Sequence, residues 1–197
     1  MTKRTTVLIN GKKRSGKDFC AELLKKSLES RGKTVQVISI AAPLKHIVQS
    51  VFKITTKELD YFKNNPTDVK IEVRKLGVKL VDLDFRQILQ RLGTDALSEQ
   101  FGEHIWVDLL KEEIHNSTAD FVLVSDFRFK KEHISTETIN IKNSCADTTD
   151  THMSENELND FNFKYTIDNT NYPNITEQIK NLTNSLVHMQ NHIQGNK

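Results

Sequence analysis

The sequence predicts an α/β fold, a central and mostly parallel five-stranded sheet with helices on both faces. Three observations predict it. Short β-branched apolar runs alternate along the chain with segments of helical periodicity, the pattern of strand–helix–strand units. The runs are continuously apolar rather than alternating, so each strand is expected to be covered on both sides. The first run leads directly into a turn holding Gly11, Gly16 and the cations Lys12, Lys13, Arg14 and Lys17, after which helical spacing begins.

The elements follow in order. Thr5 to Asn10 reads as a buried strand, and Phe19, Leu23, Leu24 and Leu28 recur at helical spacing until Arg31-Gly32 stops them. A second strand, Thr34 to Ile40, leads through Ala41-Ala42-Pro43 into a helix with Leu44, Ile47, Val48 and Val51 on one face. From about 54 to 84 the periodicity is poor and charge is high, which suggests a partly helical segment over a binding site. Phe85, Ile88, Leu89 and Leu92 start a new helix, expected to end at Gly93, and Trp106, Leu109, Leu110 and Ile114 mark another. Phe121 to Ser125, Thr138 to Ile141 and Phe163 to Ile167 read as the remaining strands. Between the last two lies a polar stretch, expected to be a loop with a short helix. A final helix carries Ile175, Ile179, Leu182, Leu186, Met189 and Ile193 on one stripe, with Asn174 and Glu177 as its capping pair. That stripe suits the core or a homodimer contact.

At 197 residues the chain suits one domain spanning 1–197, with an insertion at about 54–84 and a lid or loop at about 142–159. A net charge of +2 argues against a general nucleic-acid or membrane binder. Cys20 and Cys145 have no metal-ligand spacing and are consistent with a reducing cytosol. The apolar run Val7 to Ile9 is too short for a signal peptide, and no stretch reaches the roughly 20 apolar residues of a membrane span. The expectation is a cytoplasmic protein.

The strongest local signal is Gly11-Lys12-Lys13-Arg14-Ser15-Gly16-Lys17-Asp18, which fits the G-x-x-x-x-G-K part of the Walker A pattern between a strand and a helix. Such a loop turns backbone N–H groups around phosphates, helped by the partial positive charge of the helix N-terminus. Gly11 and Gly16 permit the backbone path, while Lys17 reaches the β- and γ-phosphates. The expected ATP-binding set is Gly11, Lys13, Arg14, Ser15, Gly16, Lys17 and Asp18. Asp18 stands where Ser or Thr normally touches magnesium, and a carboxylate can hold the metal directly or through water. This loop makes the predicted architecture a P-loop NTPase-type three-layer sandwich.

Asp126 closes the run Phe121 to Ser125 and stands where a second magnesium-holding carboxylate belongs, beside the phosphate loop. Arg128, two residues on, can reach a transferring phosphoryl or an acceptor phosphate, and Glu132, one helical turn further, can orient it. Arg86 and Gln90 are spaced i, i+4 and share a helix face. Taken alone that pair reads more simply as a solvated face, although Arg86 can fork onto phosphate and Gln90 can read a base edge or sugar hydroxyl. Lys45 suits an acceptor phosphate or a plain surface position. His152 reads as a loop histidine in a structural or base-contacting role, and Trp106 and Phe101 read as core.

Together these pieces resemble the bacteriophage deoxynucleoside monophosphate kinases. The matching residues run in order: Gly11 to Asp18, Ala42-Pro43-Leu44-Lys45, Arg86 with Leu89-Gln90 and Leu92-Gly93-Thr94-Asp95, and Trp106-Val107. Asp126, Arg128 and Glu132 follow, then His152 with Ser154-Glu155. Asp18 in place of Ser or Thr belongs to that family's own loop. The resemblance implies ATP and Mg²⁺ at the loop, with Asp18 and Asp126 at the metal. It implies a dNMP phosphate held by Arg86 and Arg128, with Lys45, Lys63, Gln90, Glu132 and His152 on the acceptor side. Beyond Lys63 the acceptor segment matches poorly, and Lys142 stands where the lid is expected to carry an arginine.

The reaction so implied passes the ATP γ-phosphoryl to a dNMP. The catalytic residues are expected to be Lys17, Arg86, Asp126 and Arg128, because an anionic acceptor needs alignment and neutralisation rather than a strong base. Two alternatives stand beside it. One is another small-molecule kinase of this scaffold, phosphomevalonate- or dephospho-coenzyme-A-kinase-like; the other is a non-catalytic ATP-binding module.

Overall fold

The computed structural model describes residues 4–65, 85–102, 104–149 and 151–195. The greater part of the acceptor segment expected at 54–84 therefore lies outside the described residues. Five strands form one sheet in the order β2-β3-β1-β4-β5, every neighbouring pair parallel: β1 Thr5–Gly11, β2 Val35–Ile38, β3 Phe121–Val124, β4 Glu137–Lys142 and β5 Tyr165–Asp168. This is the α/β architecture the sequence predicts, with helices flanking an all-parallel sheet. The third strand is buried at all four positions, which is why its sequence is unbroken Phe-Val-Leu-Val.

By contacts the chain forms two compact units, residues 1–40 with 107–197, and residues 41–106. In the first, α1 (Lys17–Glu29) and the long C-terminal helix α8 (Tyr172–Gly195) supply apolar stripes to one face of the sheet. Cys20, Ala21, Leu24 and Leu28 meet Ile175, Ile179, Leu182 and Leu186 over Val7, Ile9, Leu123 and Ile139. The C-terminal stripe thus serves the core. On the strands, Leu8, Val122 and Val124 point the other way and are also fully buried. Strands β3 and β2 lie on one side of β1, and β4 and β5 on the other. The carboxyl end of β1 therefore opens at the point where the sheet's winding reverses, where α/β sheets take their ligands.

The second unit contains α2 (Ala42–Phe52), α3 (Thr56–Asn64) and the helical run starting with α4 (Phe85–Gln90). Its core is Val48, Leu59, Phe62 and Phe85, with the Phe62 and Phe85 rings stacked at 5.6 Å. A capping box starts α3: Thr55 Oγ1 accepts from the Glu58 N–H, and the Glu58 carboxylate accepts from the Thr55 N–H at 2.7 Å.

The structure departs from three expectations. Gly93 does not end its helix: the chain continues as a π-helix over Arg91–Leu97 and then as α5, Ser98–Phe101, with Gly102 at φ 97 as the true stop before α6, Ile105–Asn116. The carbonyl of Gly93 is satisfied by Ser98 Oγ at 2.8 Å and by Trp106 Nε1 at 3.0 Å, so the helix can widen there without stranding a polar group. The C-terminal helix begins at Tyr172, before the expected Asn174–Glu177 capping pair, and the Asn174 N–H already bonds to the Asn171 carbonyl. Pro173 suits that first turn, because it has no N–H to satisfy. Phe101 is not core: it is 68% exposed, whereas Trp106 is tied down through its indole nitrogen.

Candidate functional site

The loop after β1 is built by alternating backbone handedness. Arg14 (φ 63) and Gly16 (φ 81) are left-handed, and the Ser15 N–H closes a turn on the Lys12 carbonyl at 3.0 Å. Such a path turns successive amides toward one concavity, a cradle for anions. Gly11 is required at its rim: a Cβ there would run into Ser15 Oγ and lie 3.0 Å from the Ile141 carbonyl oxygen of β4. Ser15 Oγ is buried within the loop and has no hydrogen-bond partner, an orphan hydroxyl. From the end of β5, Asn169 donates to the Ser15 carbonyl at 2.9 Å and fastens the loop.

Lys17 opens α1 from this loop. Burial pushes its ammonium below the ordinary lysine range, and Arg128 adds to the shift, while Asp18, Glu155 and Asp126 pull the other way. The other expected ATP contacts divide. Asp18 is exposed in the first turn of α1, and Arg14 is exposed at the loop tip. Lys13, by contrast, is taken up by the protein. Its ammonium pairs with Asp147 at 2.9 Å, its carbonyl accepts from the Asp147 N–H, and its own N–H donates to Glu155 at 3.3 Å. Lys12 likewise reaches Asn159 at 2.6 Å, Asn156 at 3.1 Å and the Glu155 carbonyl. The polar stretch expected as a lid, with its short helix α7 (Met153–Asn156), is thereby strapped to the phosphate loop. Asp147 is held well below the usual carboxylate range by the Thr149 hydroxyl and then by Lys13.

Asp126 and Arg128 flank Phe127, and Phe127 positions both. Its ring is fully buried against Phe161, Phe163 and His133, its N–H bonds to the Ile9 carbonyl, and its carbonyl accepts from Asn10 Nδ2 at 2.7 Å. The turn is thus riveted to β1, one residue short of the phosphate loop. Asp126 accepts from Ser39 Oγ at 2.5 Å and from the Ile40 N–H at 2.7 Å, so the ends of β2 and β3 are cross-linked through the carboxylate. Arg128 donates through Nη1 to the Ser154 carbonyl at 3.1 Å and to the Glu155 carboxylate.

Glu132 does not orient the Arg128 guanidinium, as its spacing suggested. Its carboxylate instead accepts from the backbone N–H groups of Arg128 at 2.7 Å and Phe129 at 3.0 Å, fixing the turn. Desolvation raises its pKa to about 7, against the lowering effect of those two hydrogen bonds. Because the folded value lies above the unfolded 4.5, its contribution to stability is complete below about pH 4.5 and is lost as pH rises through about 7. Glu132→Gln keeps an acceptor without the charge. From pH 5 to pH 8 the stability of wild type relative to this variant should fall by roughly 2–3 kcal/mol, read by urea denaturation. A pH-independent difference would contradict the assignment.

His152 caps α7: its Nδ1 accepts from the Ser154 N–H at 3.2 Å and meets Ser154 Oγ at 2.8 Å, a structural role. In the second unit, Arg86 and Gln90 lie on α4, whose Phe85, Ile88 and Leu89 face that unit's core. Arg86 Nε is buried without a hydrogen-bond partner. Lys63 pairs with Asp60 at 2.7 Å, and Lys45 sits in the first turn of α2, its N–H bonded to the Ala41 carbonyl. Sequence reasoning assigned no role to Ser39, Asn169, Asp147 or Glu155. Two of them carried a signal: Glu155, in the motif it closes with His152 and Ser154, and Asn169, at the strand end Tyr165 to Asn169 that also fits the resemblance.

A cradle with left-handed turns, an orphan hydroxyl, a half-buried lysine and two nearby carboxylates fits a nucleotide's phosphates and a magnesium ion. The family model for phosphomevalonate kinase matches residues 9–142, more than half of the chain. The chain belongs to that family. It is accordingly a P-loop small-molecule kinase, and kinases of this type use ATP and Mg²⁺. No individual curated protein shows a significant match. No helix among the described residues is long and apolar enough to cross a membrane.

Proposed function

We propose that this kinase transfers the ATP γ-phosphoryl group to a deoxynucleoside monophosphate, giving ADP and a dNDP. The observation that carries the reading is Arg86, a guanidinium whose Nε is buried without a protein partner, one helical turn from Gln90. A buried N–H left without a partner costs about 1–3 kcal/mol, a cost that an incoming phosphate oxygen removes. A carboxamide beside it suits a nucleobase edge. The order of the motif residues from Gly11 to Glu155 supports the same acceptor. The family match favours a second reading, in which the acceptor is phosphomevalonate.

In the proposed reaction the acceptor phosphate oxygen attacks the γ-phosphorus as the bond to ADP breaks, and no proton need move. Lys17 neutralises the β- and γ-phosphates, Arg128 meets the transferring phosphoryl group, and Lys45, Lys63, Arg86 and Gln90 serve the acceptor. Gly11, Ser15 and Gly16 shape the donor cradle, with Lys13 and Arg14 at its edge. Asp18 and Asp126 would hold Mg²⁺ directly or through water, and the ion would supply charge neutralisation between donor and acceptor.

With Mg²⁺-ATP, ADP should be released on adding dGMP, dTMP or dCMP, and not on adding phosphomevalonate. The reverse preference would replace the first reading with the second; ATP binding without turnover on any acceptor would make the chain a nucleotide-binding module. Arg86→Ala should raise KM for the accepted dNMP by about 10- to 100-fold, as expected for a lost charge-assisted contact, with KM for ATP little changed. A larger effect on ATP would put Arg86 on the donor side.

A further inference from the structure

Glu155 lies in α7, and its side chain is 3% exposed. Its Oε1 accepts from Arg128 Nη1, and its Oε2 accepts from the Lys13 N–H of the phosphate loop. The Ser154 carbonyl takes the same Arg128 nitrogen, and the Lys12 ammonium donates to the carbonyl of Glu155 itself. Burying a carboxylate costs several kcal/mol unless it is paired and hydrogen-bonded, so this placement needs a physical return.

That return is visible in Arg128. With Nη1 committed twice, Nε and Nη2 have no hydrogen-bond partner among the described residues, and the side chain is 22% exposed. These two nitrogens carry the parallel N–H pair that forks onto a phosphate. Glu155 therefore grips the arginine by the one nitrogen that the fork does not use, and its second oxygen ties that grip to the phosphate loop.

We propose that Glu155 is the positioning residue for phosphoryl transfer, holding Arg128 against the phosphate loop so that the Nε–Nη2 edge meets the transferring group. The inference rests on the reading that Arg128 contacts that group. Two effects oppose each other when the charge is removed. A carboxylate near polyphosphate repels it, so neutralising Glu155 favours ATP binding; freeing a long arginine side chain loses alignment. Glu155 and Arg128 already cancel one another's charge, which makes the first effect the smaller. The alignment loss should therefore appear in kcat and not in ATP affinity.

The test uses Glu155→Gln, with ADP release measured on whichever dNMP the wild type accepts and ATP affinity measured by calorimetry with a non-hydrolysable analogue. The expected result is a kcat lower by about 10- to 100-fold, the usual scale for misalignment by about 1 Å. Analogue affinity should stay within about threefold of wild type, the mark of an interaction made only in the transition state. Glu155→Asp keeps the charge and should recover part of kcat. In an Arg128→Ala background, Glu155→Gln should cost nothing more, because it acts through that arginine. Unchanged kcat in Glu155→Gln, losses that simply multiply in the double variant, or tighter analogue binding with faster turnover would overturn the proposal. The last would make Glu155 an occupant of the phosphate's seat. Wild-type turnover in Arg128→Ala would instead sink the premise, whereas a slow Arg128→Ala beside a full-speed Glu155→Gln would sink only the role of Glu155.

Discussion

Lys17→Met should lower kcat by about three orders of magnitude and leave the protein at least as stable as wild type. The first part follows from charge. Lys17 is half-buried at the start of α1, where the loop ends, and burial disfavours its charge; there a preorganised donor to developing charge is worth about 10²–10³ in rate, and a full cation at least as much. The second part follows from linkage. Burial lowers the lysine's pKa below 10.5, so the folded state holds the charged form at a disadvantage at neutral pH. That cost disappears with the charge, and methionine retains most of the packing of the stem. Activity and stability should therefore move in opposite directions, as they do where a residue is kept for chemistry rather than for folding. Steady-state ADP release and thermal melts of the two proteins provide the check. A variant within tenfold of wild-type kcat would remove Lys17 from the mechanism; one that melts much earlier would show that the ammonium is structural.

The phosphate loop was legible because strand, turn and helix each carry a local signature, and they stand in register from Thr5 to Leu28. The buried strands were legible for the same reason, since Phe121 to Val124 admits no polar residue. What escaped depends on partners far away in the chain. Gly93 reads as a helix stop by propensity, yet Ser98, Trp106 and Leu44 make a place for it: a Cβ there would lie 2.6 Å from Leu44 Cδ2. The Asn174–Glu177 pair looked like a cap, but Pro173 had already begun the turn. Glu132 was placed correctly beside Arg128 by its spacing, and the wrong atoms were paired, because an i, i+4 rule presumes a helix where the chain makes a tight turn. The guanidinium's real partner, Glu155, lies 27 residues away, and no periodicity joins the two.

The same logic explains why the loop's cations do not act as one group. Lys12 and Lys13 belong to the strap made by Asp147, Glu155, Asn156 and Asn159, whereas Lys17 has no such cage among the described residues. Composition shows a basic cluster. Only the fold separates the lysines that strap the loop to its neighbours from Lys17, the one proposed to meet a nucleotide.

Gly11→Ala tests that separation on the backbone itself. The added methyl group would meet Ser15 Oγ on one side and β4 on the other, with the Ile141 carbonyl oxygen at 3.0 Å and its Cβ at 3.2 Å. Strand β4 cannot yield, since it is hydrogen-bonded in register to β1 and β5 alike. The loop must give instead, and moving Ser15 displaces the amides that form the cradle. Forcing a methyl group into such a site costs about 1–3 kcal/mol, so a lower melting temperature is expected. The larger effect should fall on the nucleotide, with ATP affinity reduced by about 10- to 100-fold if most of that strain is relieved at the expense of the phosphate contacts. Gly32→Ala is the control: its φ of 73 strains any other residue, but nothing lies within 4 Å of a Cβ there. It should lose about 1 kcal/mol of stability and bind ATP as wild type does. If both variants were destabilised alike and both bound ATP normally, the concavity after β1 would not be where the phosphates sit.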